Sequence, residues 1–129
     1  MTPTFTTIGL VVADMAAAAA FYERLGLKFG DDDDNHRECE LAGAVKLTLD
    51  TEAAIRSFTP DWTRATGSSR VSLAFQVDSP EAVDEVVAEL AAGGAVVTRP
   101  PWDTFWGQRY ASVSDPDGNE VDVYATLPQ

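Results

Sequence analysis

Asp115-Pro116-Asp117-Gly118-Asn119, followed by Glu120-Val121-Asp122-Val123-Tyr124, decides the fold of this chain. Pro presets φ, Asp accepts hydrogen bonds from the backbone just after it, and Gly tolerates positive φ. The first five residues therefore predict a tight turn. The next five alternate, with Val121 and Val123 on one side and Glu120, Asp122 and Tyr124 on the other. A period of two predicts a strand whose apolar face packs on a helix and whose polar face meets water or a ligand.

The same logic extends upstream. Residues 5–12 are rich in Thr, Ile and Val and predict a strand. Asp14 is placed to cap a helix over 15–25, which Gly26 ends. Leu27-Lys28-Phe29 reads as a short strand, and Asp31 to Asp34, with Asn35, as a solvated turn of mutually repelling carboxylates. Residues 38–41 and 45–49 predict a hairpin across Ala42-Gly43-Ala44. Between 51 and 69 the pattern dissolves into Pro, Thr, Gly and Ser, as in a connector with one helical turn near residues 52–57.

The opening theme then recurs. Residues 71–77 predict a strand, and Ser79-Pro80-Glu81 starts a helix running to Ala92, with Val83, Val86, Val87 and Leu90 on one face. Gly93-Gly94 stops it, Ala95-Val96-Val97 returns as a strand, and a long turn through Pro100-Pro101 leads to a strand near 109–114. The order is strand, helix, three strands, stated twice: a module over about 5–50, a connector over 51–69 and a module over about 70–126, in one domain of 129 residues.

Strand alternation sorts these residues into faces. Ile8, Leu10 and Val12 oppose Thr7, Gly9 and Val11; Val45, Leu47 and Leu49 oppose Lys46, Thr48 and Asp50; Val71, Leu73, Phe75 and Val77 oppose Ser72, Ala74 and Gln76. One face is uniformly apolar. The other is small or polar, and is either solvated or a ligand surface.

A repeated βαβββ unit with this ending, together with Ile8-Gly9-Leu10-Val11-Val12-Ala13-Asp14 near the start, resembles the vicinal-oxygen-chelate superfamily across nearly the whole chain. That superfamily holds glyoxalases, extradiol dioxygenases, fosfomycin-modifying enzymes and bleomycin-resistance proteins. The resemblance implies an α+β fold in which two βαβββ modules form a cupped mixed β-sheet, with helices outside and ligands in the cup. In metal-dependent relatives, histidines and glutamates on the inward faces close on one divalent ion. Their positions match Thr7, Lys46 or Thr48, Ser72 and Asp122 here. A transition metal needs three or four N, O or S ligands at about 2 Å, and Asp122 alone does not supply them. The expectation is therefore no metal and no other cofactor. His36, the single histidine, has no partner at motif spacing for a metal, and Asp31 to Asp34 lack the glycine and glutamate of an EF-hand loop.

Trp62, Trp102, Phe105, Trp106 and Tyr110 fall in predicted connectors, where large rings either line a pocket or pack on a partner. The candidate ligand-binding residues are Thr7, Thr48, Ser72, Trp102, Trp106, Tyr110, Asp122 and Tyr124. Arg109 is expected to pair with Asp115 or Asp117. Cys39 has no partnered histidine and no second cysteine, which excludes an intrachain disulfide and suits a reducing cytoplasm. The N-terminus shows no basic segment before an apolar run, and no apolar stretch is long enough to span a bilayer. A net charge of −12 disfavours nucleic acid and anionic membranes, and favours cationic partners or simple solubility.

These observations lead to one expectation of function. The chain captures a small cationic or aromatic, antibiotic-like molecule without metal and without catalysis, as a homodimer like the bleomycin-resistance branch that it resembles in size, acidity and missing ligands. The alternative is a metal-dependent enzyme of glyoxalase or dioxygenase type. A third reading is a cofactor-free isomerase with Asp122 or Glu120 as base.

Overall fold

The computed structural model describes residues 1–30 and 33–129. Of the turn expected over Asp31 to Asp34 with Asn35, Asp31 and Asp32 lie outside the described residues, and the Asn35 N–H donates to the Asp33 carboxylate at 2.8 Å. The chain forms two compact units, residues 1–66 and 67–129. Each is a mixed sheet with a helix packed on it, so the α+β class and the presence of two modules hold.

In the first unit, β1 (Thr7–Val12) runs parallel to β3 (Lys46–Thr51), and β2 (His36–Glu40) runs antiparallel to β3 on its other side. Helix α1 (Met15–Arg24) starts where Asp14 caps it, its carboxylate accepting the Ala17 N–H at 3.1 Å. Met15, Ala18 and Ala19 of α1 form a core with Val12 and Leu49, against which Leu10 and Phe29 pack. Small alanines at 18 and 19 let the helix approach the sheet closely, and burying each larger aliphatic chain contributes about 1.5–3 kcal/mol. Helix α2 (Glu52–Arg56), capped by the Thr51 hydroxyl, supplies the expected helical turn after β3.

One strand expected in this unit does not form. Leu27-Lys28-Phe29 is not extended into a ladder, because the Leu27 N–H closes back on the Tyr22 carbonyl at 3.1 Å and Phe29 spends its side chain on the core. Among the described residues of this unit two strands follow α1 rather than three.

The second unit has the expected strand–helix–three-strand order: β4 (Ser72–Gln76), α3 (Pro80–Ala92), β5 (Val96–Asp103), β6 (Gln108–Ser114) and β7 (Glu120–Thr126). The sheet order is β4-β7-β6-β5, with β4 parallel to β7 and the other pairs antiparallel. Helix α3, capped by Ser79 with Pro80 in its first turn, packs on β5, β6 and β7 through Val83, Val87 and Leu90. The turn between β6 and β7 is built by Asp115. Its Oδ1 accepts the N–H groups of Asp117 and Asn119, and Oδ2 accepts the Asn119 amide, while Gly118 takes φ 86°. That geometry is what Asp-Pro-Asp-Gly-Asn implies.

The long turn expected at Pro100-Pro101 is instead part of β5. Proline cannot donate to a ladder, but β5 is the outer strand of its sheet, and its pairing with β6 shifts register on both sides of Arg99. Trp102 accordingly lies on a strand, not in a connector, whereas Tyr110 lies on β6, the strand expected near 109–114. No helix among the described residues is long and apolar enough to cross a membrane.

Candidate functional site

The polar face of the second sheet is organised in rows. Tyr124 is in register with Tyr110, and Tyr110 with Trp102; Asp122 is in register with Ser112, and Ser112 with Arg99. On the opposite face Val121, Val123, Ala111 and Val113 are fully buried.

The aromatic row continues into the loop between β5 and β6. Tyr110 stacks on Tyr124 with centroids 6.2 Å apart, and Trp106 meets Tyr110 edge-on at 5.8 Å, Trp102 at 5.6 Å and Phe105 at 4.8 Å. The loop is held by Thr104, whose hydroxyl accepts the Gln108 N–H and donates to the Gln108 carbonyl, both at 3.0 Å. Trp106 Nε1 donates to the Gln108 side chain at 2.7 Å. The indole N–H of Trp102 is buried with no hydrogen-bond partner among the described residues.

Asp122 lies under this row. It is 2% exposed and accepts hydrogen bonds from the Tyr110 hydroxyl at 2.5 Å and the Ser112 hydroxyl at 2.7 Å. Burial and then the bond to Asp122 push the Tyr110 hydroxyl well above the usual phenol range. Glu120 lies one row along. Partial loss of hydration, then the charge of Asp122 and a hydrogen bond shared with it, raise the Glu120 carboxyl above its ordinary value, and Arg99 opposes that rise. Above these groups opens a cavity of about 270 Å³ lined by Thr98, Arg99, Trp106, Tyr110, Ser112 and Glu120.

Of the residues proposed from sequence, Trp106 and Tyr110 line this cavity, Asp122 supports it from below, and Tyr124 and Trp102 back its aromatic wall. Ser72 sits exposed on β4 in register with Glu120. Sequence reasoning missed Thr98, Arg99 and Ser112 as lining residues. Ser112 could have been found from the alternation Tyr110-Ala111-Ser112, whereas the reading of Pro100-Pro101 as a turn hid Thr98 and Arg99. Arg109 does not pair with Asp115 or Asp117. It bonds Asp84 of α3 and Asp103 of β5, both at 2.9 Å, tying helix to sheet, while Asp115 is occupied in its own turn.

Thr7 and Thr48 belong to the first unit. Thr7 is exposed with its hydroxyl against that of Thr6, and Thr48 is buried beside Gly9, where an added Cβ would stand 3.2 Å from the Thr48 hydroxyl. Beside them runs a charged network that the sequence did not disclose. The His36 ring bonds Asp50 through Nδ1 at 2.5 Å and Glu38 through Nε2 at 2.8 Å, and Glu38 also holds Lys46 at 3.1 Å. The bond to Glu38, then that to Asp50, raises the His36 pKa; the bond to His36, then that to Lys46, lowers that of Glu38. The carboxylates engage opposite ring nitrogens, so the three groups do not converge on one point.

A metal can be tested against these positions. Thr7 and Ser72 offer exposed hydroxyls, Thr48 a buried one, Lys46 an ammonium paired with Glu38, and Asp122 a carboxylate already bonded by two hydroxyls. That donor set does not fit a transition-metal ion. Among the described residues no three His, Cys, Asp or Glu side chains are grouped to hold one.

The chain belongs to the Glyoxalase/Bleomycin resistance protein/Dioxygenase superfamily, whose family model matches residues 4–123. It is similar in fold to a family enzyme from Burkholderia phytofirmans, with TM-score 0.82, 23% identity and coverage of 95% of this chain and 98% of that one. A glyoxalase-related enzyme from Fulvimarina pelagi gives TM-score 0.82 at 21% identity, covering 97% and 89%. A glyoxalase/bleomycin resistance protein/dioxygenase from Nocardioides gives TM-score 0.76 at 28% identity, covering 98% and 85%. Comparison with curated proteins returns no match.

Proposed function

We propose that the chain captures a small planar or cationic organic molecule non-covalently and without metal, in the cavity on the second sheet. The observation that carries this reading is the wall itself: Trp106 and Tyr110, braced by Trp102 and Tyr124, stand beside the Glu120 carboxyl around about 270 Å³. Flat rings and cations are attracted to aromatic faces by about 0.5–2 kcal/mol per contact, and a net charge of −12 draws cations toward the protein. The bleomycin-resistance part of the family description accords with a capture role, and the donor chemistry at the family's ligand positions accords with a metal-free one.

Tryptophan-quenching titrations with bleomycin- and mitomycin-type antibiotics and planar cationic dyes test it. Submillimolar binding is expected to weaken tenfold or more in Trp106→Ala, about 1.4 kcal/mol. Absence of binding, together with turnover of a 2-oxoaldehyde–thiol adduct or a catechol, would replace capture by catalysis. The same reading includes a homodimer, supported by exposed Val71, Val96 and Phe105 on a domain with open sheet edges. Light scattering at micromolar concentration should give twice the mass of one chain; a single-chain mass rejects the dimer.

A further inference from the structure

Arg99 is the cation among the residues that line the cavity. It lies on β5 between two register shifts, one from Val97 to Arg99 and one from Arg99 to Trp102. Irregularities of this kind re-aim a side chain that a regular ladder would fix. The re-aimed side chain here joins the cavity wall with Trp106, Tyr110 and Glu120.

With 21 acidic residues against 9 basic ones, a cation in this chain readily finds a carboxylate. Arg37, Lys46, Arg56, Arg64 and Arg109 each do. Arg99 forms no ion pair with any described residue, although Glu120 is near enough to feel its charge. Arg24, Lys28 and Arg70 also form no ion pair with a described residue, but none of them borders this cavity. A guanidinium left open on a cavity wall presents a planar fork of N–H donors that matches a carboxylate two to two.

The two charges of the wall constrain what enters. A simple cation suits Glu120 but is repelled by Arg99, and such a clash selects against it. A simple carboxylate suits Arg99 but must approach a strongly acidic protein and then lie beside Glu120. A molecule carrying both charges satisfies both walls. At about 30 Å³ per water, the volume corresponds to about nine waters, which suits one or two fused rings with a short charged arm.

We propose that the cavity recognises a zwitterionic ring compound, with its flat body against Trp106 and Tyr110, its carboxylate on Arg99 and its ammonium on Glu120. This narrows the capture reading above and rests on it.

Calorimetric titration with tryptophan, tryptamine and indole-3-propionate tests the assignment, because the three share a ring and differ in charge. Tryptophan should bind tightest, with each singly charged analogue about tenfold weaker or more. Arg99→Gln should remove the advantage of tryptophan over tryptamine, and Glu120→Gln its advantage over indole-3-propionate. Trp106→Ala should weaken all three. An analogue that binds as well as tryptophan, or a preference unchanged in Arg99→Gln, overturns the proposal. If none of the indoles binds while planar cations still bind through Trp106, the zwitterion assignment falls and capture stands. If neither group binds, both fall.

Discussion

Asp122 serves as acceptor for two hydroxyls in a setting almost sealed from water, so its loss leaves more than one group unsatisfied. Asp122→Ala strands the Tyr110 and Ser112 hydroxyls and should lower stability by about 2–4 kcal/mol in urea unfolding. Ser112→Ala removes one donor of the pair and should cost about 1 kcal/mol. Equal, small losses in the two variants would show that the acceptor is not shared. At this scale legibility depended on residue type. Asp115 announced its turn, since Asp-Pro-Asp-Gly-Asn has few other uses. Asp122 announced a polar face through alternation. Ser112 announced nothing, because a serine on a strand acquires a role only when the neighbouring strand places a carboxylate opposite it.

Strand β2 depends on charge in a way that titration should reveal. His36 bridges Glu38 on its own strand and Asp50 on β3, and its pKa is raised in the folded protein. A raised imidazole pKa means that the fold binds the proton more tightly than the unfolded chain. The stabilisation is therefore fully present below the ordinary value of 6.5 and is lost as pH rises through the raised one. Thermal melts should show wild type above His36→Gln near pH 6 by under about 1 kcal/mol, since the ring is partly exposed, with the gap closing in alkali. A gap that widens with pH would contradict the bridge. The elements misread from sequence share one cause. Pro100-Pro101 is forbidden in a central strand and allowed in an outer one, and Leu27–Phe29 is a strand or a helix exit depending on what Tyr22 and Phe29 touch. Both questions are settled by neighbours distant in sequence. The caps at Asp14 and Ser79, the glycine stops and the hairpin across Ala42–Ala44 were local, and each formed where expected.

The α+β class with two modules was legible because a strand–helix–strand grammar is stated twice, and a family pattern closes it; the cavity was not, because it depends on where the outermost strand places Thr98 and Arg99. That strand has a property of its own. A sheet ends in a row of free N–H and C=O groups, which can recruit the same segment of another chain and grow without limit. Pro100 and Pro101 remove two donors from β5, which on adjacent strand residues face opposite edges, so the outer row is interrupted at one of them, and the shifted register beside them leaves the strand irregular. Replacing both prolines with threonine should restore a continuous donor row, and incubation at raised concentration with thioflavin should then give faster fibril growth than wild type; equal rates would show that the prolines do not protect this edge. The irregularity that flanks Arg99 on the cavity wall thus also makes the strand a poor template for runaway assembly.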